Sequence, residues 1–130
     1  MGNPRVLVID DDLAVREAIS AGLRLDGYDL IFAENGADAL AALKRSTPRV
    51  VILDLKMPVM DGFEATRQIR RNSLNSQTPI IALTGLTGEN ERQQCLTAGM
   101  NDFIGKPFTQ DQIQATLVQW INNYYGSASD

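Results

Sequence analysis

Residues 50–54 read Val50-Val51-Ile52-Leu53-Asp54, four consecutive apolar and mostly β-branched side chains that end on a carboxylate. So short a run cannot make a helix. Because it is continuous rather than alternating, it fits a strand covered on both faces, the pattern of a parallel sheet. Four more runs share it: Val6 to Ile9, Leu30 to Ala33, Ile80 to Leu83, and the shorter Phe103-Ile104. Segments of helical period lie between them. Val15, Ala18, Ile19 and Leu23 fall at i, i+3, i+4 and i+8, and Ile113, Leu117, Trp120, Ile121 and Tyr124 at i, i+4, i+7, i+8 and i+11. Further helices are predicted over about Ala37 to Arg45, Phe63 to Arg71 and Glu89 to Ala98. Gly27, Gly36, Gly62, Gly88 and Gly99 punctuate helix boundaries, and Pro48, Pro58, Pro79 and Pro107 stay outside helix interiors. Strict alternation of strand and helix with right-handed crossovers gives an α/β fold of five βα units, its parallel sheet covered by helices on both faces.

The chain has 130 residues, enough for one domain, expected over residues 1–125 with a flexible tail at 126–130. Its composition, 44% hydrophobic and 22% charged, is that of an ordinary globular protein. The longest unbroken apolar run is Ala39 to Leu43, whereas a membrane span needs about 20 residues. No signal peptide opens the chain, so the expectation is a soluble, cytoplasmic domain without membrane contact. Histidine is absent, which removes Ser-His-Asp and Cys-His nucleophiles, histidine zinc sites and a phosphohistidine on this chain. The single cysteine, Cys95, can form no internal disulfide and reads as a small apolar residue on a helix. A net charge of -4 argues against a nucleic-acid ligand. The basic clusters Lys44, Arg45, Arg49 and Arg67, Arg70, Arg71 read as solvated helix ends, where cations meet the negative end of the dipole.

In an open α/β sheet, ligands bind beyond the carboxyl ends of the strands. There the first strand runs into Asp10-Asp11-Asp12, the third into Asp54, the fourth into Thr84 and the fifth into Lys106-Pro107. Two carboxylates about 5 Å apart at an effective dielectric of 20 repel by roughly 3 kcal/mol, so something must offset them. A hard divalent cation does so, and Mg²⁺ prefers one or two carboxylates plus waters and a phosphate oxygen. With a lysine and a hydroxyl alongside, the edge is equipped for phosphoryl transfer. Asp12 reads as the N-cap of the first helix, and Trp120 as core.

From Arg5 to about Tyr124 the chain resembles the receiver domain of two-component response regulators. Four pieces carry the resemblance: Val-Leu-Val-Ile-Asp-Asp-Asp at 6 to 12, Val-Val-Ile-Leu-Asp-Leu-Lys-Met-Pro-Val-Met-Asp-Gly at 50 to 62, Ile-Ile-Ala-Leu-Thr-Gly at 80 to 85, and Phe-Ile-Gly-Lys-Pro-Phe at 103 to 108. The resemblance implies a flavodoxin-like sheet of order 2-1-3-4-5. It implies that Asp54 is the phosphoacceptor, and that Mg²⁺ is held by Asp11 and Asp54, by Asp10 largely through water, and by the backbone carbonyl of Lys56. Thr84 and Lys106 match the groups that hold the phosphoryl oxygens, Phe103 the aromatic switch position, and Lys106-Pro107 a cis peptide. Met57, Pro58, Asp61 and Gly62 shape the loop beside Asp54. The implied partner is a histidine kinase or a histidine phosphotransfer domain, and a weak homodimer is compatible with the reading.

On this reading the chain is a signalling domain rather than a conventional enzyme, catalysing its own Mg²⁺-dependent phosphotransfer and slow dephosphorylation. A carboxylate is an anion at neutral pH, so Asp54 needs no general base, which suits a chain without histidine. The added charge needs a bistable neighbour to become a signal. Thr84, Phe103 and the fourth helix are expected to supply it, because that helix offers little apolar material beyond Cys95, Leu96 and Ala98. Gly85 stands where the family more often has alanine, and Leu86 where it often has a polar residue. Gly-Phe-Glu-Ala-Thr-Arg at 62 to 67 and Ala-Gly-Met-Asn-Asp-Phe at 98 to 103 look more like receivers fused to hybrid histidine kinases than those of DNA-binding regulators. With no output domain after Tyr125, the expectation leans toward a receiver excised from such a protein. An alternative reads Asp10-Asp11-Asp12 as the opening of a haloacid-dehalogenase-like phosphatase with Asp10 as nucleophile.

Overall fold

The computed structural model describes residues 3–55, 61–85 and 88–125. Five strands, β1 (Arg5–Ile9), β2 (Asp29–Ala33), β3 (Val50–Asp54), β4 (Ile80–Thr84) and β5 (Asp102–Gly105), form one parallel sheet of order β2-β1-β3-β4-β5. Five helices alternate with them: α1 (Leu13–Leu25), α2 (Gly36–Arg45), α3 (Gly62–Arg71), α4 (Glu89–Ala98) and α5 (Gln110–Tyr125). The expected alternation and order are those observed. The strands outrun their apolar runs by a residue or two, taking in Arg5, Asp29, Asp54, Thr84 and Asp102.

Alternate strand side chains feed two separate apolar layers, as the pleat requires. Val6, Val8, Val50, Ile52, Ile81, Leu83 and Ile104 meet Ile19 and Leu23 of α1 and Ile113 and Leu117 of α5. Leu7, Ile9, Val51, Leu53, Ile80 and Ala82 meet α2, α3 and α4 through Leu43, Ile69 and Cys95, among others. Each large side chain so buried contributes about 1.5–3 kcal/mol.

Polar side chains start four of the helices, with Thr109 Oγ1 accepting from the Gln112 amide at 3.1 Å ahead of α5. Asp12 Oδ1 accepts from the Ala14 amide at 2.9 Å, Asn35 Oδ1 from Asp38 at 2.8 Å, and Asp61 Oδ1 from Glu64 at 2.9 Å. Asp12 is thus the cap that its position suggests. Helix α4 begins on Gly88 without a side-chain cap among the described residues and ends on Gly99 at φ +111°, a left-handed conformation that suits glycine. Cys95 and Ala98 are buried, but Leu96 is 41% exposed, so α4 is anchored by even less apolar surface than its composition suggests.

One basic cluster departs from expectation. Arg70 is not a solvated helix end: its guanidinium donates to the carbonyls of Gly99, Asn75 and Thr78 and to Asn101 Oδ1. A single 3-10 turn at Ser73–Asn75, not apparent in the sequence, and the left-handed Gly99 turn these carbonyls away from regular pairing toward Arg70. Among the described residues, no helix is long and apolar enough to cross a membrane.

Candidate functional site

Strand register gathers the site. Ile9 pairs with Leu53, so Asp10 and Asp54 leave their strands side by side. Asp54 pairs with Leu83, and Thr84 with Gly105, which sets Lys106 one residue past the β5 end. The ladder continues there, with the Lys106 amide donating to the Thr84 carbonyl at 2.7 Å. The Lys106–Pro107 peptide is cis.

Carboxylate oxygens of Asp10, Asp11 and Asp54, one from each, lie within 4.8 Å of one another. Asp10 and Asp54 are buried and Asp11 is exposed, so the cluster opens to solvent on one side. Lys106 Nζ stands 3.2 Å from Asp54 Oδ1, its side chain 32% exposed against 7% for Asp54. Asp10 Oδ1 accepts from the Asp12 amide at 2.9 Å, whereas its buried Oδ2 has no hydrogen-bond partner among the described residues. Burial pushes the Asp10 carboxyl up to about 6; the Asp12 amide opposes the shift, the Asp54 charge adds to it, Lys106 opposes it and Asp11 adds to it.

Three converging carboxylates, one with an orphaned buried oxygen, form a hard anionic donor set that fits a divalent cation such as Mg²⁺. The buried Thr84 closes the β4 end, and Phe103, half-buried on β5, packs against the α2–α4 layer. The predicted Asp10, Asp11, Asp54, Thr84 and Lys106 therefore share one edge, with Phe103 on an adjoining strand. Lys56, the remaining predicted ligand, lies outside the described residues, as do Met57, Pro58, Leu86 and the tail at 126–130.

Two neighbours of the site have steric or polar duties. A Cβ on Gly62 would stand 2.8 Å from Leu55 Cα and 3.0 Å from the Asp54 carbonyl, so the first turn of α3 packs directly on the chain leaving β3. Gly85 is under no such constraint from the described residues, none of which a Cβ there would meet within 4 Å. Arg16, on α1, is a residue that sequence reasoning passed over: its Nη1 donates to the Asp10 carbonyl at 2.6 Å. The only signal was a cation beside the buried stripe of the first helix, too weak to single out.

Residues 6–118 match the model of the response regulator receiver domain. The chain is 38% identical over 117 residues to a probable transcriptional regulator, ycf27, of Porphyridium aerugineum, covering 90% of this chain and 48% of that protein. It thus spans about half the length of the curated relatives it matches. Among solved structures it is similar to the chemotaxis protein CheY4 of Vibrio cholerae, with a TM-score of 0.88, 33% identity, and 91% of this chain and 98% of that one covered. It is also similar to the receiver domain of the sensor histidine kinase PA1611 of Pseudomonas aeruginosa, whose structure has a magnesium ion coordinated in the active site cleft. There the TM-score is 0.85 and the identity 35%, over 93% of this chain and 99% of that one. The breadth of the receiver match leaves a phosphatase built on Asp10 without support.

Proposed function

This chain belongs to the response regulator receiver domain family, phosphoacceptors of two-component signalling, and we propose that Asp54 is the side chain that takes the phosphoryl group. The observation that carries this reading is Lys106 Nζ at 3.2 Å from Asp54 Oδ1, on the carboxylate that also closes the acidic cluster.

The donor is a phosphohistidine on a histidine kinase or a histidine phosphotransfer domain, or a small acyl phosphate. An Asp54 oxygen attacks phosphorus; with a phosphohistidine donor the phosphorus–nitrogen bond breaks and its electron pair returns to the imidazole, and with an acyl phosphate the phosphorus–oxygen bond breaks and its pair leaves on the carboxylate. The product is an aspartyl phosphate. Asp10, Asp11 and Asp54 would hold Mg²⁺, which supplies positive charge against the phosphoryl oxygens. Lys106 offers a fixed ammonium beside the nucleophile, and Thr84 a hydroxyl at the neighbouring strand end. Catalysis on this reading is positioning and electrostatic stabilisation, with no proton to remove from the nucleophile. Water attack on the same phosphorus, guided by the same groups, breaks the phosphorus–oxygen bond to Asp54, releases inorganic phosphate and restores the carboxylate, which accounts for slow dephosphorylation. Thr84, Phe103 and α4 carry the change outward, α4 being the helix with an uncapped start and little buried apolar surface.

Labelling with acetyl phosphate and Mg²⁺, followed by mass spectrometry of proteolytic peptides, tests the reading. The wild-type chain gains one phosphoryl group on Asp54 and the Asp54→Asn variant gains none. Undiminished labelling of Asp54→Asn, or a modified Asp10, would overturn it.

A further inference from the structure

Asp10 and Asp11 are joined by a single peptide group, and both carboxylates converge on Asp54 against mutual repulsion. The orientation of that peptide decides whether they can. Its carbonyl is the Asp10 oxygen that accepts from Arg16 Nη1 at 2.6 Å. The Arg16 side chain is only 12% exposed, and its Nη2 lies 4.0 Å from Glu34 Oε1, just past the end of β2. Two other bonds restrain the segment: the Asp10 amide donates to Ala33 O at 3.1 Å, and the Asp12 amide to Asp10 Oδ1 at 2.9 Å. Both come from the main chain. Arg16 adds the charged side chain, reaching across from α1, and a charge-assisted bond is stronger than a neutral one.

We propose that Arg16 is a positioning residue for the acidic pocket, holding the Asp10–Asp11 peptide so that the two carboxylates stay aimed at Asp54. Arg16 donates to a main-chain carbonyl, and so acts on geometry rather than as a ligand. The consequence for metal affinity rests on the Mg²⁺ reading above; the consequence for the loop does not. Partners that orient ligands typically change metal affinity by about 10- to 100-fold when removed, and that is the loss expected for Arg16→Ala. Arg16→Lys, which keeps one charged donor but not the fork, should recover part of it.

The test pairs Mg²⁺ titration calorimetry with amide hydrogen exchange on the metal-free protein, using Val15→Ala as a control that trims the same helix without touching the loop. Arg16→Ala should weaken Mg²⁺ binding and speed exchange of the Asp12 amide, while Val15→Ala lowers stability and leaves both nearly unchanged. If Arg16→Ala does not fold, Arg16→Gln, which retains a neutral donor, replaces it. Wild-type Mg²⁺ affinity and unchanged Asp12 exchange in the Arg16 variant would overturn the proposal while leaving the function reading intact. A wild-type chain that binds no Mg²⁺ would instead defeat the metal reading, and the exchange comparison would still decide the role of Arg16.

Discussion

The indole Nε1 of Trp120 donates a 2.9 Å hydrogen bond to Oδ2 of Asp102, and Oδ1 of the same carboxylate accepts from the Phe103 amide at 2.8 Å. One carboxylate therefore joins α5 to β5 directly beside the proposed switch residue. Trp120 is the only tryptophan, so its emission reports on this joint. Adding beryllium fluoride with Mg²⁺ should shift the emission of the wild-type protein. Asp102→Ala should shift it without the mimic and cost about 1–2 kcal/mol in urea unfolding. Spectra that ignore both changes would separate α5 from the switch.

Lys106→Ala removes the ammonium 3.2 Å from Asp54 Oδ1. Acetyl phosphate labelling of Asp54 should slow by about 10²-fold, the scale seen when a preorganised charge-stabilising donor is lost. Rates within a factor of two of wild type would remove Lys106 from the mechanism.

Asp10 gives the metal-free protein a pH dependence of known sign. Its carboxyl is raised from 3.8 to about 6 in the fold, so between these values the folded state holds more protons than the unfolded chain. Stability without metal should fall as pH rises from about 4 to about 6 and level off above. Asp10→Asn should flatten that slope. Over the same range Mg²⁺ affinity should rise, because cation and proton compete for one oxygen. A urea midpoint that climbs between pH 4 and 6 contradicts the assignment.

Arg70 reaches three main-chain carbonyls and one side-chain amide oxygen, tying α3 to the 3-10 turn and to the turn after α4. Arg70→Ala should lower stability by about 2–4 kcal/mol, since several acceptors lose a charged donor at once. Arg70→Lys should recover little of it, because one ammonium cannot span the fork. Chemical denaturation of the two variants tests both statements.

How legible all this was depends on where each residue finds its partner. Val50 to Leu53 and Ile80 to Leu83 announced strands because burial on both faces leaves an unbroken apolar run, and the carboxylates and lysine at strand ends followed from the topology. Asp29 and Asp102 were missed as strand residues, since a ladder pairs main-chain groups whatever the side chain is. Helix α4 was readable from Gly88 and Gly99 rather than from an apolar stripe. Arg70 and Arg16 escaped because what they bind is carbonyl oxygen: Gly99 O lies 29 residues from Arg70, and Asp10 O leaves no trace in residue identity. Side chains that reach distant carbonyls leave no pattern, whereas a helix cap such as Asp12 and the members of a charge cluster do.

Cys95 sits 1% exposed on the inner side of α4, and burial, reinforced by the Glu91 charge, pushes its thiol up from the usual range. Alkylation by a soluble reagent therefore has to wait until the helix lifts from the sheet, which turns the lone thiol into a clock for that motion. The rate of mass gain in excess iodoacetamide should respond to beryllium fluoride, and more strongly than global unfolding does. A rate that tracks only the urea midpoint would mean that α4 never leaves the sheet by itself.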